Sequence, residues 1–267
     1  MRITDLTVTL FNWPITPWKT GRSCFGGDIQ LGLVTLHTDD DVEGYAFLGS
    51  PSQGADVFAG PLMNVLKPRL LGRNPLDIGA IWQEMWNLHR LVSVRAIGAV
   101  DVALWDLAGK AAGLPIHRML GTCKENVPAY ASSAWLPSPE AYAEEAIRFR
   151  SLGWAAYKTH PHGIPKTDVE ICSALREAVG DDMVLMLDAM WAYGYEEAVR
   201  VGRAIENLGF FWYEDPLAEE DIYNYVKLRQ QLDIPLMCTE YAPGGLYGMD
   251  TPFLGLQARE QMYSPVP

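Results

Sequence analysis

The sequence is short of positive charge. Its 267 residues hold 21 Lys and Arg against 33 Asp and Glu, a formal net charge of −12. No run of five cations occurs. Phosphate backbones need a basic face to bind, so the composition argues against a nucleic-acid partner. A small anionic substrate stays possible, because a metal ion or a few local cations override the global sign. Long apolar runs are missing too. No 18-residue apolar stretch exists, and polar residues interrupt the opening MRITDLTVTLF, so neither a membrane span nor a signal peptide is expected. Cysteine is sparse: Cys24, Cys123, Cys172 and Cys238 lie far apart, with no CxxC pair. Isolated thiols of this kind read as reduced. A soluble, cytoplasmic chain with no membrane partner is the expectation.

What the sequence does hold is apolar residue, 49% of it, enough for one large or two modest cores. The first part reads as α+β. Ile3, Leu6, Val8 and Leu10 give a roughly alternating strand, and QLGLVTLHTDDDVEGYAFLG (30–49) reads as a hairpin around an Asp-rich turn. Helices are expected near 55–71, 75–91 and 95–113. In the last of these, Ile97, Val100, Ala103, Leu104 and Leu107 share one face, and Gly113 and Pro115 end it. From Val127 the pattern changes. The apolar runs VPAYAS, AAYKTH, MVLMLDAM, FFWYEDP and IPLMCTE alternate with amphipathic helices starting near Pro139, Thr167, Tyr195 and Glu219. Ser138 and Thr167 suit N-caps. Such alternation predicts βα units and a parallel sheet.

Three of these runs end in a carboxylate: Asp188, Glu214 and Glu240, spaced 26 and 26 residues apart. In a parallel barrel the strand C-termini share one rim. Three like charges gathered there need a cation, and an oxygen-only donor set suits Mg²⁺. The plain alternative is solvated loop acids or helix caps; Asp215 stays open between an N-cap and a residue behind the ligands. One strand earlier, Lys158 and His160 are two residues apart and so face the same side. Lys158 is a candidate for a substrate carboxylate, and His160 for proton transfer near neutral pH. His162, after Pro161, falls in the loop. His37, His89 and His117 read as structural.

AVDVALWDLAGKAAGLPIHRMLG, VPAYAS, LMLDAM, WYEDPL and TEYAPGG together resemble the landmarks of the enolase superfamily, of the mandelate racemase/muconate lactonizing enzyme-like type, many of whose members are acid-sugar dehydratases. The resemblance runs from position 1 to about 250. It implies an N-terminal capping domain (1–126) and a TIM-like β/α barrel from 127. It implies Mg²⁺ on Asp188, Glu214 and Glu240, with abstraction of the proton α to a carboxylate to give a metal-stabilised enediolate. Lys158 and His160 would be the catalytic pair. Where the family often carries Lys-x-Lys, this chain has Lys158-Thr159-His160. A sugar acid would lose its β-hydroxyl and give a 2-keto-3-deoxy acid; a racemase or epimerase of a 2-hydroxy acid runs through the same intermediate. Full-length relatives commonly form oligomers.

About 141 residues from Val127 leave room for about five βα units, where a closed barrel takes eight. An incomplete barrel (127–250) and an unrelated tail (251–267) are therefore expected, and an inactive metal-binding remnant is a further reading. NWPITPWKTGRSCFGGD (12–28) reads as a Gly- and Pro-rich loop of the kind that covers a site. In it Trp18, Lys19 and Arg22 are substrate-binding candidates and Phe25 a water-excluding one. Trp191 and Tyr193 either line the mouth or pack a loop.

Overall fold

The structure, a computed structural model, describes residues 1–19, 24–49, 54–218 and 221–238, and only the backbone over 15–19 and 24–28. The chain divides into two compact units, the first from Met1–Pro17 and Phe25–Asn126, the second chiefly from Val127 onward.

The first unit pairs three strands in the order β1 (Ile3–Lys19), β2 (Cys24–Thr38) and β3 (Gly44–Leu48). β2 and β3 are antiparallel, with Val34 opposite Ala46, as the hairpin pattern predicts. β1 and β2 also correct one expectation. Much of 12–28 is strand rather than loop, since β1 runs on to Lys19 and β2 begins at Cys24. Helical segments follow: α1 (Ala55–Pro61), a π-helical stretch (Leu62–Leu66), α2 (Lys67–Leu70), α3 (Ile78–Trp86), α4 (Val94–Ala112) and α5 (Ile116–Met119). The predicted helix over 55–71 is thus interrupted by π geometry, next to Pro61 and Pro68. Ser93 caps α4 through the Arg95 N–H. Gly113 ends α4 at φ 64°, a left-handed turn that favours glycine. Ile97, Val100, Ala103, Leu104 and Leu107 are all buried, in one core with Leu6, Val34, Leu36 and Leu48.

In the second unit five parallel strands stand in chain order: β4 (Ala131–Ser132), β5 (Ala156–Thr159), β6 (Val184–Asp188), β7 (Trp212–Glu214) and β8 (Leu236–Met237). α6 (Pro139–Ser151), α7 (Pro165–Val179), α8 (Tyr195–Asn207) and α9 (Ile222–Gln231) connect them. This is a partial β/α barrel. Ser138 caps α6, its hydroxyl accepting the Ala141 N–H. Thr167 does not cap α7. That helix starts two residues earlier with Pro165 at its first position, where a missing N–H costs nothing and φ is already helical. The helix expected near Glu219 starts at Ile222, capped by Asp221.

Period-two alternation divides the strands between two sides. Tyr157, Leu185, Leu187, Tyr213 and Leu236 join the core formed with the helices. The register aligns Lys158 with Met186 and Met186 with Trp212, then Asp188 with Glu214. Lys158, Asp188 and Glu214 are therefore left on the other side.

Candidate active site

The C-terminal ends of β5, β6 and β7 bring three buried charges together. The Lys158 ammonium lies 2.9 Å from Asp188 Oδ2 and 3.1 Å from each Glu214 oxygen. It also stands over the Tyr130 ring, 5.6 Å from its centre. Each carboxylate is held from behind. Asp188 Oδ1 accepts the Met190 N–H at 3.0 Å, and Glu214 Oε2 accepts the Trp212 indole N–H at 3.1 Å. Strain concentrates at this rim. Of four non-glycine residues with positive φ among the described residues, Met190, Trp191 and Asp215 are three. Such backbone persists only where the surroundings enforce it.

His160 follows β5. Its Nδ1 is 2.9 Å from the Ser133 carbonyl, and its Nε2 is 3.1 Å from Asp188 Oδ2. A carbonyl only accepts, so Nδ1 carries a proton and donates it. The ionised Asp188 carboxylate likewise only accepts, so Nε2 makes its contact with a proton of its own.

The charges shape one another. Burial alone would lift the Asp188 carboxyl, but the hydrogen bond and charge of His160, with Lys158, bring it below its ordinary value. Burial and the neighbouring Asp188 charge push Glu214 up, against Lys158 and the Trp212 N–H. Burial works to lower Lys158, yet the two carboxylates carry it upward on balance. Lys158 is thus firmly cationic, a counter-ion that both acids share, and Asp188 has His160 beside it as well.

The other predicted residues are placed as follows. His162 points its Nε2 to the Leu136 carbonyl at 2.7 Å, beside the Tyr142 ring. Tyr193 is buried and donates to Asp168, so it packs a loop. Trp18 and Lys19 lie in β1, with only their backbone described, and so does Phe25 in β2. Arg22, Glu240 and the 251–267 tail lie outside the described residues. His37 bonds Thr7 and Glu43 in the first unit. Among the described residues no group of three His, Cys, Asp or Glu is arranged to hold a metal ion, and no helix is long and apolar enough to cross a membrane.

Sequence reasoning missed four residues. Tyr130 and Trp212 pack edge to face against each other, with Lys158 over the Tyr130 ring; for Trp212 the two-residue spacing to Glu214 was the signal available. Ser133 gave no signal beyond its place at a strand end. Asp168, fully buried in the first turn of α7, accepts the His162 N–H and the Tyr193 hydroxyl. Its setting, "KTDVE", reads as an ordinary helix start.

An α+β unit followed by parallel βα units with polar groups at the strand C-termini is the architecture of the β/α-barrel enzymes. Within that class, the chain belongs to the mandelate racemase/muconate lactonizing enzyme group of the enolase superfamily. Residues 3–121 match the Mandelate racemase / muconate lactonizing enzyme, N-terminal domain family, and residues 141–248 the Enolase C-terminal domain-like family. The chain is 30% identical over 224 residues to arabinonate dehydratase of Saccharolobus solfataricus, covering 80% of this chain and 60% of that one. It is 31% identical over 230 residues to L-talarate/galactarate dehydratase of Salmonella typhimurium, covering 83% and 57%. Among solved structures, D-glucarate dehydratase from Agrobacterium tumefaciens complexed with magnesium superposes with a TM-score of 0.80 at 30% identity, covering 91% of this chain and 68% of that one. Other relatives are cycloisomerases and racemases. The chain spans about 60% of the length of the curated relatives it matches.

Proposed function

We propose that this chain is built to take the proton α to the carboxylate of a sugar acid, as the first step of its dehydration to a 2-keto-3-deoxy acid. The observation that carries the reading is the His160 imidazole. Its Nδ1 is tied to the Ser133 carbonyl and its Nε2 is presented at the rim beside Asp188 and Lys158. Nε2 is the atom that receives the proton, once the one it shares with Asp188 has left. Lys158, positive and buried on the same side, is the partner for the substrate's carboxylate.

The donor chemistry fits a hard divalent ion. Two carboxylates already converge on one cationic point, oriented by the Met190 and Trp212 N–H groups. Asp188 and Glu214, with Glu240, would hold Mg²⁺. When bound, it supplies the Lewis acidity that an α-proton of a carboxylate needs before a neutral-range base can remove it. Lys19 and Arg22 stand as candidates for the substrate's oxygens, and Trp18 and His162 as further substrate-binding candidates.

The test is incubation of purified chain with a panel of sugar acids and Mg²⁺ in deuterated water. Two readouts are taken: 2-keto acid, and deuterium at the α-carbon. Both are expected, with a loss of about 100-fold or more in His160→Ala, the scale of a missing general base. Deuterium exchange without 2-keto acid would favour racemisation or epimerisation. Neither signal from folded protein would leave a metal-binding chain without catalysis.

A further inference from the structure

We propose that Ser133 is the positioning residue that sets the tautomer of His160. The inference rests on the reading of His160 as the base, and on three hydrogen bonds from a single residue. The Ser133 N–H donates to the Lys158 carbonyl at 2.9 Å, extending the β4–β5 ladder past its end. The Ser133 hydroxyl accepts the His160 backbone N–H at 2.9 Å. The Ser133 carbonyl faces His160 Nδ1, also at 2.9 Å. Ser133 is buried, so water does not substitute freely for these contacts.

The geometry explains why a side chain is needed there. β5 ends at Thr159, and the chain turns into Pro161 immediately after His160. Past the end of its strand, His160 keeps an N–H with no ladder partner of its own. The Ser133 hydroxyl takes that N–H and draws the His160 backbone against 133. This brings the imidazole within reach of the Ser133 carbonyl. Two further bonds brace the same turn: the Tyr142 hydroxyl donates to the His160 carbonyl at 2.7 Å, and the Trp135 indole to the Pro161 carbonyl at 3.1 Å. A histidine held only by its Asp188 contact would keep its proton on Nε2, because an ionised carboxylate accepts and never donates, and that is the wrong nitrogen for a base. The Ser133 carbonyl supplies a second acceptor at Nδ1, so that when His160 carries a single proton Nδ1 holds it and Nε2 is free to act.

The experiment is long-range proton–nitrogen NMR on ¹⁵N-histidine-labelled protein, with His160 assigned by its absence in His160→Gln. In the wild type a proton on Nδ1 is expected, whether or not Nε2 also carries one. In Ser133→Ala the Nδ1 proton should exchange with water about tenfold faster, the scale of one lost buried hydrogen bond, and Ser133→Thr should restore it. A wild-type Nδ1 without a proton overturns the proposal and needs no variant. An unchanged exchange rate in folded Ser133→Ala overturns it as well. The base reading is judged separately by α-deuterium exchange in His160→Ala. A protonated Nδ1 beside unimpaired exchange in that variant would sink the base and leave the positioning role standing.

Discussion

At the scale of single residues, Lys158 decides how the site behaves without metal. Two buried carboxylates share it as counter-ion, with the three side chains only about a tenth exposed. Removing one partner of a buried ion pair costs about 3–5 kcal/mol, because the other charge stays behind uncompensated. Lys158→Met should therefore lower the melting temperature of the metal-free chain. Millimolar Mg²⁺ should recover more stability in the variant than in the wild type. Melts with and without Mg²⁺ check this, and equal recovery in both proteins would remove the metal from the site. Asp168 gives a second residue-scale test. Burial pushes its carboxyl up to about 6 from 3.8, against the Tyr193 and His162 hydrogen bonds. Between those two pH values the folded protein keeps a proton that the unfolded chain has lost. The stability from this group is complete below 3.8 and is lost as pH rises through about 6. Asp168→Asn removes that dependence. Relative to wild type it should gain on the order of 2–3 kcal/mol between pH 4 and pH 7.5, measured by urea unfolding at each pH; a constant difference would show that the carboxyl titrates normally. That Asp188, Glu214, Lys158 and His160 gather at the strand ends was legible: Asp188 and Glu214 end apolar runs one βα unit apart, and Lys158 and His160, two residues apart, face one side. Ser133 and Asp168 were not. Their work is done on backbone groups distant in sequence, and a sequence does not display which carbonyl a histidine will meet.

At the scale of elements, the alternation of βα units was readable because strand and helix periods differ, and the parallel register follows from it. Boundaries were less so. Thr167 has the side chain of an N-cap, but Pro165 nucleates α7 first. The 12–28 segment carries loop-like Gly and Pro, yet its backbone continues β1 and opens β2. Packing of β3 on α4 is another tertiary fact, and it turns on Gly44. A Cβ there would meet the Ala103 carbonyl oxygen at 2.1 Å and the Leu107 Cβ at 2.8 Å. Backbone cannot step aside as a side-chain tip can. Gly44→Ala should destabilise the first unit by about 3 kcal/mol, seen as a shifted denaturant midpoint; a loss under about 1 kcal/mol would mean the strand lifts away from the helix at little expense.

At the scale of the whole molecule, the two units have separate cores, one around Leu36, Leu62 and Leu104 and the other around Tyr157, Leu187 and Tyr213. The candidate ligands described here belong to the second alone. A net charge of −12 draws any divalent cation weakly to many surface acids, so binding in bulk would not identify a site. Location does. Binding to the native state stabilises it by RT ln(1 + [L]/Kd), about 2.7 kcal/mol at 100 times Kd. That stabilisation appears as slower exchange where the ligands hold the backbone. Hydrogen exchange with and without Mg²⁺ should show protection at 158–160, 186–191 and 212–216. α4 and the β2–β3 hairpin should be unchanged. In Glu214→Gln the protection should fade while exchange in the first unit stays as in the wild type. Protection spread evenly over both units would mean diffuse counter-ion binding. Protection confined to the strand ends, and lost with Glu214, would place the ion where Asp188 and Glu214 already converge on a cation.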